Sequence, residues 1–351
     1  MNHILKPIEY DAINNEITII DQTKLPNELI YKKLKTIEEV WHAISRLEVR
    51  GAPLIGVTAA WGITMSMLDQ KINDKDSFWK KFCILKDYLL TSRPTAVNLI
   101  NALSYVEDNV KALELNNIDA LKNAMCKITK SFQEHDFFIS NKIGEYGETL
   151  FHKTQDINVL TYCNAGLLAT SNSYGTALAP VYKGMENGKK IHVFSCETRP
   201  VLQGARLTTF ELTYNNVPTT LITDNMMGWL FQNKQIDCIF VGCDRVAKNG
   251  DFANKIGTNT LAILAHHYQI PFYVCMPSTT IDFNAEDGTS FVIEQRSDEE
   301  VRKLWYEKEM VAKEAHILNP SFDCTSFEYV SGYITEKGIL MPPFIKEDFD
   351  E

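Results

Sequence analysis

The sequence has no run of about 18 apolar residues, the length that a helix needs to span a bilayer. Its first six residues also lack the apolar stretch and the small-residue cleavage site of a secretory signal. We therefore expect a cytoplasmic protein without a membrane partner. The formal net charge of −10 argues against a nucleic-acid partner, because such a surface needs clustered Lys and Arg. An anionic substrate would have to be bound by positive groups gathered locally.

Metal-binding and nucleotide-binding patterns are missing as well. The eight cysteines form no C-x-x-C pair, and no cluster of His and Cys has the spacing of a zinc site. No G-x-G-x-x-G follows a predicted strand. Residues 184–189 are one residue shorter than a P-loop and continue with Lys190 instead of Ser or Thr. We predict a helix C-terminus and a turn there, and the sequence supports neither a dehydrogenase nor an NTPase.

The first part of the chain has the hydrophobic periodicity of helices. Residues 35–150 begin with a capping box in which Glu39 follows Thr36 by three residues. Two short apolar runs before them, 17–21 and 28–31, predict strands of a small sheet. The predicted helical stretches are 78–90, 96–109 and 121–150.

After about residue 155, short apolar runs alternate with helix-length segments. This alternation predicts a parallel sheet with right-handed crossovers, a doubly wound α/β domain. At 351 residues the chain is also too long for one typical compact domain. We expect a mostly helical N-terminal domain with a short leading sheet at 1–150 and a Rossmann-like catalytic domain at 151–351. The predicted strands of the second domain are 157–162, 191–196, 219–223, 237–241 and 272–275.

Polar and glycine-bearing residues follow several of these predicted strands. In open α/β sheets the ligand crevice lies outside the carboxyl ends of the strands, so these residues stand where a site is expected. Cys163 opens a polar turn, where helix amides and nearby cations favour the thiolate form of a cysteine. Asp244 follows a predicted strand, and apolar surroundings there would keep its carboxyl partly protonated. Taken alone, Cys163 is equally typical of a buried thiol without a catalytic role, and Asp244 is equally typical of a capping Asp.

Two segments have features of phosphate-binding loops. Arg50, Gly51 and Ala52 precede a helix of small residues, an arrangement that offers an anion a guanidinium, N–H groups and a helix dipole. Without further evidence this motif is more typical of a tight turn. Arg93 stands before Pro94, which we expect to hold it extended and to start the next helix. A surface Arg is an equally good interpretation there.

A third candidate lies in the glycine-rich segment 249–257, which we expect to be a polar loop entering a helix. Asn254 could hold a hydroxyl, and Lys255, at the expected helix start, could meet a phosphate. A cation at a helix N-terminus is unfavourable for the helix dipole. An anionic ligand would therefore explain Lys255.

Taken together, these segments resemble the methylthioribose-1-phosphate isomerase family. Its superfamily also holds translation-initiation exchange-factor subunits and ribose-1,5-bisphosphate isomerases. The most specific stretches are 197–208, E-T-R-P-V-L-Q-G-A-R-L-T, and 249–257, N-G-D-F-A-N-K-I-G. The matching stretches cover most of the chain in order: 50–62, 92–99, 160–179, 197–212, 223–228, 242–257, 271–282, 293–296, 319–323 and 334–338.

The resemblance implies an aldose–ketose isomerase that converts 5-methylthio- or 5-deoxyribose 1-phosphate to the corresponding ribulose 1-phosphate, in methionine salvage or in 5-deoxyribose disposal. It implies Asp244 as the general acid and Cys163 as the second catalytic group. It also implies a homodimer that needs no metal and no cofactor, with a small-molecule sugar phosphate as its substrate. The substrate-binding positions that it implies are Arg50, Gly51, Ala52, Arg93, Gln203, Asn254 and Lys255.

The anomeric oxygen of such a substrate carries the phosphate. The ring therefore cannot open as a free hemiacetal does, and a general acid must act at the ring oxygen. Hydrogen then moves from C2 to C1, either through a base such as Cys163 or as a hydride shift, and the residues leave both routes open.

Two alternatives to this enzyme are open. The first is a non-catalytic regulatory subunit resembling the exchange-factor subunits, against which the joint presence of Cys163, Asp244, Arg50, Arg93 and Lys255 argues. The second is a ribose-1,5-bisphosphate isomerase, which would need a second cationic clamp at C5. No further Arg or Lys of the sequence is assignable to that clamp.

Overall fold

The computed structural model describes residues 5–94, 96–151, 156–171 and 174–349 of the 351-residue chain. The chain divides into two compact units. The first comprises Met1–Phe138 and Leu167–Ser173, and the second comprises Ile139–Gly166 and Tyr174–Glu351. Among the described residues, no helix combines the length and the apolarity required to cross a membrane.

The first unit begins with an antiparallel sheet of three strands, in the order β1-β2-β3. They are β1 (Ile8–Asp11), β2 (Glu16–Ile20) and β3 (Tyr31–Leu34). The strand predicted at 17–21 is confirmed, whereas the one predicted at 28–31 is wrong, because β3 begins only at Tyr31. The register pairs Tyr31 with Ile20 and carries the strand through Lys32 and Lys33, whose ammonium groups pair with glutamates. A strand made largely of lysines is not found by a search for apolar runs.

Five helices follow among the described residues, and the last of them extends beyond Phe138, where the first unit ends. They are α1 (Ile37–Ser45), α2 (Ala52–Leu68), α3 (Lys75–Leu90), α4 (Val97–Ala112) and α5 (Ile118–Glu148). The predicted stretches 78–90, 96–109 and 121–150 correspond to the last three. The predicted capping box of Thr36 and Glu39 is present at α1. α2 is buried on all sides from Leu54 to Met67, as its apolar and small residues require. Gly56 packs so tightly that an added Cβ would lie 3.0 Å from the carbonyl oxygen of Asn98 on α4.

The second unit has two sheets and five further helices. Its strands are β4 (Ile157–Thr161), β5 (Ile191–Cys196), β6 (Thr219–Ile222), β7 (Cys238–Val241), β8 (Arg245–Ala247), β9 (Phe252–Lys255), β10 (Phe272–Cys275), β11 (Ile281–Asp282), β12 (Phe322–Thr325), β13 (Gly332–Thr335) and β14 (Gly338–Leu340). Its helices are α6 (Ala179–Glu186), α7 (Thr209–Tyr214), α8 (Met227–Gln232), α9 (Thr258–Tyr268) and α10 (Glu299–Arg302).

The larger sheet confirms the predicted doubly wound α/β fold. Its seven strands follow the order β14-β13-β10-β7-β4-β5-β6 and are parallel except for β14. The five predicted strands correspond to β4, β5, β6, β7 and β10, with ends that differ from the prediction by one residue at most. α6 ends at Glu186, and a turn leads from it to β5 at Ile191, as predicted for residues 184–189.

The smaller sheet, in the order β11-β8-β9-β12, was not predicted. The expectation that residues 249–257 form a loop entering a helix is wrong, because β9 occupies the middle of this segment and α9 begins only after it, at Thr258. A tight turn joins β8 to β9, in which the N–H of Gly250 donates to the carbonyl of Ala247 (2.9 Å) and Gly250 has a φ of 93°. Strands of two to four residues offer too few positions for an alternating pattern to stand out.

Candidate active site

The strand order places two candidate residues at one point of the seven-stranded sheet. From β4 the chain continues to β5 and β6 on one side, and β7 and β10 lie on the other. The switch point therefore lies between the adjacent strands β4 and β7, and open α/β sheets bind ligands beyond the carboxyl ends at such a point. Cys163 closely follows the end of β4, and Asp244 closely follows the end of β7. The fold thus brings this predicted pair to the same edge of neighbouring strands.

Cys163 has a left-handed backbone conformation, with a φ of 67°, which is uncommon for a residue with a side chain. Two buried hydroxyls hold it there. Its N–H donates to Thr198 Oγ1 (2.8 Å), and its carbonyl oxygen accepts a hydrogen bond from Thr208 Oγ1 (2.6 Å). Such conformations cost of order 1–3 kcal/mol and persist where the surroundings over-determine them, as at active sites. The side chain of Cys163 is half-buried.

Asp224, at the end of β6, fixes the segment that carries Thr198. Its two carboxylate oxygens accept the backbone N–H groups of Thr198 and Arg199, each at 2.8 Å. Close to it is Tyr162, which is 2% exposed, and burial together with the Asp224 charge raises the pKa of the Tyr162 phenol well above its ordinary value. The phenol is therefore protonated at neutral pH. Its oxygen occupies the space that a side chain on Gly257 would need.

Asp244 connects the larger sheet to the smaller one. Its N–H donates to the carbonyl of Ala253 on β9 (2.8 Å), and its side chain is exposed. The expectation of apolar surroundings around this carboxyl is therefore wrong. The reason is topological, because the chain leaves the carboxyl edge of β7 at this residue and turns into β8 instead of entering the core.

The register of the smaller sheet places Asn254 opposite another polar residue. β8 pairs Arg245 with Ala253, and β9 pairs Asn254 with Asp323 on β12. Asn254 and Asp323 are therefore cross-strand neighbours, and the side chains of such a pair lie on the same face of the sheet. Asn254 also lies close to the first turn of α9. There Asn254 Nδ2 donates to the hydroxyl of Thr258 at 3.0 Å.

Asp323 caps the N-terminus of α9, and its pKa is raised. Its carboxylate oxygens accept the N–H groups of Gly257 (2.7 Å) and Asn259 (3.1 Å). Burial raises the pKa of Asp323 from 3.8 to about 6, although these two hydrogen bonds and the charge of Lys255 act in the opposite direction. Asp323 therefore titrates close to physiological pH.

Lys255 is not at a helix start, contrary to the sequence-based expectation. It is the last residue of β9, and Gly257 is the N-cap of α9. Because successive strand residues point to opposite faces, Lys255 lies on the face opposite to Asn254. Its ammonium nitrogen lies 4.5 Å from the centroid of the Phe322 ring. The fold therefore separates two side chains that the sequence placed side by side.

Gln203 has the properties of a ligand-binding residue. It is 8% exposed, and its Oε1 has no hydrogen-bond partner among the described residues. Buried polar atoms without a partner are rare, and each calls for an explanation such as a bound molecule. Gln203 precedes a π-helical turn (Gly204–Thr208), a feature frequent at functional sites. At Gly204 an added Cβ would overlap the carbonyl oxygen of Cys196, so this turn packs directly on the end of β5.

In the first unit, Arg50, Gly51 and Ala52 lie at the start of α2, as predicted. Gly51 is the N-cap with a φ of 96°, which favours glycine, and an added Cβ would lie 2.5 Å from the Cα of Ala169. The first turn of α2 contains no acidic residue. Its N–H groups and dipole therefore remain suited to an anion. Arg50 is half-buried.

Arg93 lies in the connection between α3 and α4. The expectation that Pro94 starts the next helix is wrong, because α4 begins at Val97 with Ala96 as its N-cap. The carbonyl of Arg93 accepts the N–H of Ala96 (3.0 Å), so a turn separates the arginine from the helix. Thr95 lies outside the described residues, as do residues 172 and 173 of another segment that carries the family resemblance.

Three of the other cysteines are buried, whereas Cys163 is half-buried. All eight are free thiols. Burial raises the pKa of Cys196, Cys238 and Cys275 well above the usual value, so these three are protonated at neutral pH. In the part of the chain that the structure describes, no group of three or more His, Cys, Asp or Glu could hold a metal ion.

Three residues that organise the site, Thr198, Thr208 and Asp224, received no role from the sequence, although Thr198 and Asp224 stand among the polar residues that follow predicted strands. They act through backbone hydrogen bonds, which residue types alone do not reveal. Thr198 and Thr208 do lie within the specific stretch 197–208, and Asp224 follows the end of β6. Their position at strand ends was the available signal.

Comparison with known proteins assigns this architecture to one family. A model described as the Initiation factor 2 subunit family matches residues 48–342. A methylthioribose-1-phosphate isomerase of Symbiobacterium thermophilum is 46% identical over 340 residues, which cover 97% of this chain and 94% of that protein. A 5-deoxyribose 1-phosphate isomerase of Petrotoga mobilis is 44% identical over 338 residues, with 96% of each chain covered.

Two solved structures have the same fold. A crystal structure of 5-methylthioribose 1-phosphate isomerase from Pyrococcus horikoshii has a TM-score of 0.90 and 36% identity, covering 98% of this chain and 94% of that one. The translation initiation factor eIF-2B, subunit delta, from A. fulgidus has a TM-score of 0.86 and 37% identity, covering 97% and 96%. Structural similarity alone therefore does not distinguish an enzyme from an initiation-factor subunit.

Proposed function

The chain belongs to the initiation factor 2 subunit family, and on that premise we propose that it is a sugar-phosphate isomerase acting on 5-methylthio- or 5-deoxyribose 1-phosphate. The product is the corresponding ribulose 1-phosphate. Curated relatives with both substrate names cover nearly the whole chain at 44–46% identity. The structural observation that carries the proposal is the placement of Cys163 and Asp244 beyond β4 and β7, on either side of the switch point of the sheet.

Asp244 is proposed as the general acid that protonates the ring oxygen when the bond to C1 breaks. Its exposed side chain is accessible to a substrate, and a bound sugar would exclude water from the carboxyl and favour its protonated form. The C2 hydroxyl loses a proton as the ketone forms, and the hydrogen on C2 ends on C1. Atoms and electrons balance within the substrate, so the isomerisation needs no external oxidant or reductant.

Cys163 is proposed as the second catalytic group, with two routes for the hydrogen. As a thiolate it would take the C2 proton and return it at C1, and alternatively hydride passes directly from C2 to C1 while the site stabilises charge. A substrate carrying deuterium at C2 separates them. Full retention of deuterium at C1 in ordinary water supports the hydride shift, and loss of deuterium to solvent supports the base.

The remaining assignments stay those that the resemblance implies: substrate binding by Arg50, Gly51, Ala52, Arg93, Gln203, Asn254 and Lys255. Gln203 has the most direct structural support, because its buried Oε1 is without a partner among the described residues and could accept a hydrogen bond from a sugar hydroxyl.

Incubation with three candidate substrates tests the function. Purified protein is supplied in turn with 5-methylthioribose 1-phosphate, 5-deoxyribose 1-phosphate and ribose 1,5-bisphosphate, and the ketose product is followed by NMR. We expect turnover of the first two, because one small apolar group changes discrimination by only about 1–3 kcal/mol. The Asp244→Asn variant is the matched control for contaminating activity. Exclusive turnover of the bisphosphate, or none at all, contradicts the proposal.

A regulatory subunit is the second candidate function, favoured by the 37% identity to the eIF-2B delta subunit. It predicts no turnover of any sugar phosphate. The turnover assay therefore decides between the two candidates.

We further propose that the enzyme is a cytoplasmic homodimer that serves methionine salvage or 5-deoxyribose disposal. Eight free thiols suit a reducing compartment. Leu221, Met226 and Trp229 expose about half of their surfaces, at 49%, 47% and 59%, near the edge strand β6. Apolar side chains at a sheet edge favour association with another chain. Light scattering during gel filtration measures the mass, and a monomer at micromolar concentration would contradict the dimer.

A further inference from the structure

A fully buried carboxylate lies behind the Cys163 turn. Glu211 on α7 has no exposed surface. Its Oε2 accepts a hydrogen bond from Asn164 Nδ2 (3.0 Å), and its Oε1 accepts one from the hydroxyl of Tyr182 (3.0 Å). Taking a carboxylate out of water is unfavourable, and apolar residues of similar volume in place of buried charges often leave a protein equally stable or more stable. A residue of this kind therefore calls for a role besides stability.

A directed chain of hydrogen bonds joins Glu211 to Cys163. Asn164 is the residue after Cys163, and its Nδ2 also donates to Thr208 Oγ1 (3.1 Å). That hydroxyl has one proton, which it donates to the carbonyl oxygen of Cys163 (2.6 Å). The carboxylate can only accept, so it fixes the side of the Asn164 amide that faces inward. The amide in turn fixes the direction of the hydroxyl, and the hydroxyl holds the peptide group of Cys163.

The packing around this chain leaves little freedom. An added Cβ on Gly166 would overlap Glu211 Oε1, so the turn after Cys163 closes directly on the carboxylate. Burial, followed by the charge of Glu211, raises the pKa of the Tyr182 phenol well above its ordinary value. Tyr182 therefore acts as a donor to the carboxylate at neutral pH.

We propose that Glu211 is a positioning residue for Cys163: through Asn164 and Thr208 its carboxylate holds the left-handed turn that presents the thiol at the end of β4. Glu211 does not touch the substrate in this proposal. The inference rests on the proposed function only in taking Cys163 as the reacting group. The geometry of the turn is independent of which sugar phosphate is used.

Glu211→Gln tests the proposal, because it keeps the shape of the side chain and replaces one carboxylate oxygen with an N–H donor. The donors Asn164 Nδ2 and the Tyr182 hydroxyl already point at this group. We expect kcat to fall about 10- to 100-fold with KM changed by no more than about threefold, because a displacement of about 1 Å can reduce a rate about 100-fold. The rate at which iodoacetamide alkylates Cys163 is measured by mass mapping at a series of pH values. This rate should differ at least about fivefold between the variant and the wild-type protein.

Tyr182→Phe is the matched control, because it removes the Tyr182 hydrogen bond to the same carboxylate without touching the chain to Cys163. It should lower Tm by a similar amount and leave kcat within about twofold. If Glu211→Gln does not fold, Thr208→Ser and Thr208→Val replace it. Thr208→Ser keeps the hydroxyl and should retain the wild-type kcat and Cys163 alkylation rate. Thr208→Val removes the hydroxyl and should retain neither.

Three outcomes are distinguishable. Loss of kcat and altered Cys163 alkylation in Glu211→Gln, with neither in Tyr182→Phe, supports positioning. Equal Tm losses in both variants with unchanged kcat and unchanged alkylation mean that Glu211 serves folding alone, and the inference is overturned. If the wild-type protein isomerises no sugar phosphate, the proposed function fails, and the alkylation rates still decide whether Glu211 positions the thiol.

Discussion

Asp323→Asn is expected to change stability in opposite ways at acidic and at neutral pH. The carboxyl of Asp323 is subject to two opposing effects: burial favours the neutral form, and two helix N–H groups with Lys255 favour the charged form. Burial dominates and raises the pKa from 3.8 to about 6. The folded state therefore holds the proton more tightly than the unfolded chain does. By linkage, this stabilisation is fully present below about pH 3.8 and is lost as pH rises through about 6.

The size of the effect follows from the difference between the two pKa values. About two pH units correspond to about 3 kcal/mol at 1.36 kcal/mol per unit. Water reaches the half-buried carboxyl, which reduces the figure to about 1–2 kcal/mol. Asn cannot ionise, so residue 323 causes no such loss of folding stability with rising pH in the variant. It also gives up one of the two capping hydrogen bonds, at about 0.5–1.5 kcal/mol irrespective of pH. The variant should therefore gain about 1–2 kcal/mol relative to wild type between about pH 4.5 and about pH 7.5.

Urea denaturation of both proteins across this pH range measures the difference directly. Subtraction removes the contributions of the other carboxyl groups, which both proteins share. Asp287→Asn is the control, because hydrogen bonds from Thr289 lower the pKa of Asp287. The stability from Asp287 is present above about pH 4 and is lost only below it, so its difference curve should be flat over this range. A flat curve for Asp323→Asn, or one that falls with pH, refutes the dominance of burial at Asp323.

Three further predictions concern single side chains of the site. Asp244→Asn should lower kcat more than tenfold, about 1.4 kcal/mol in barrier, with little change in KM, and steady-state kinetics showing a smaller loss would exclude Asp244 as the acid. Lys255→Ala and Arg93→Ala should each weaken binding of a non-reacting phosphate analogue by about 1.5–3 kcal/mol in calorimetry, whereas unchanged affinity with a lower Tm would make them structural. Gly257→Ala should destabilise by about 1–3 kcal/mol, because its φ is 103° and a Cβ would overlap the Tyr162 hydroxyl. Adding Tyr162→Phe should recover part of this loss in thermal melts, and no recovery would refute the contact.

The larger sheet and the capping box could be predicted because their signals are local. The strands β4, β5 and β7 are short, largely apolar and mostly buried runs bounded by polar residues, as parallel strands covered on both faces require. Thr36 and Glu39 satisfy each other's backbone within one turn. For the same reason Cys163 and Asp244 could be selected, since each follows such a run.

The remainder of the site depends on register and on contacts distant in sequence. Nothing in the residues around Lys255 shows that β9 places it on the face opposite to Asn254. Asp244 was expected to have apolar surroundings, and it is exposed because the chain turns into β8 there. Glu211 follows Asn164 by 47 positions, so its hydrogen bond to the turn is invisible to any short motif.

Two carboxyl groups next to candidate site residues carry a cost in stability. Glu211 is a buried carboxylate behind the turn after β4, and Asp323 is a partly buried carboxyl paired with Asn254 in the smaller sheet. Apolar residues of similar volume in place of buried charges often leave a protein equally stable or more stable, so stability does not explain either carboxyl. Proteins retain such costs where activity needs a fixed or polar site, and a chain that served only as a scaffold would have no use for them. The initiation-factor subunit with the same fold shows that the sheet alone does not decide between enzyme and scaffold. In this chain Glu211 accepts a hydrogen bond from the residue after Cys163, and Asp323 pairs with Asn254. Both unfavourable carboxyls therefore stand next to candidate site residues, which favours the enzyme.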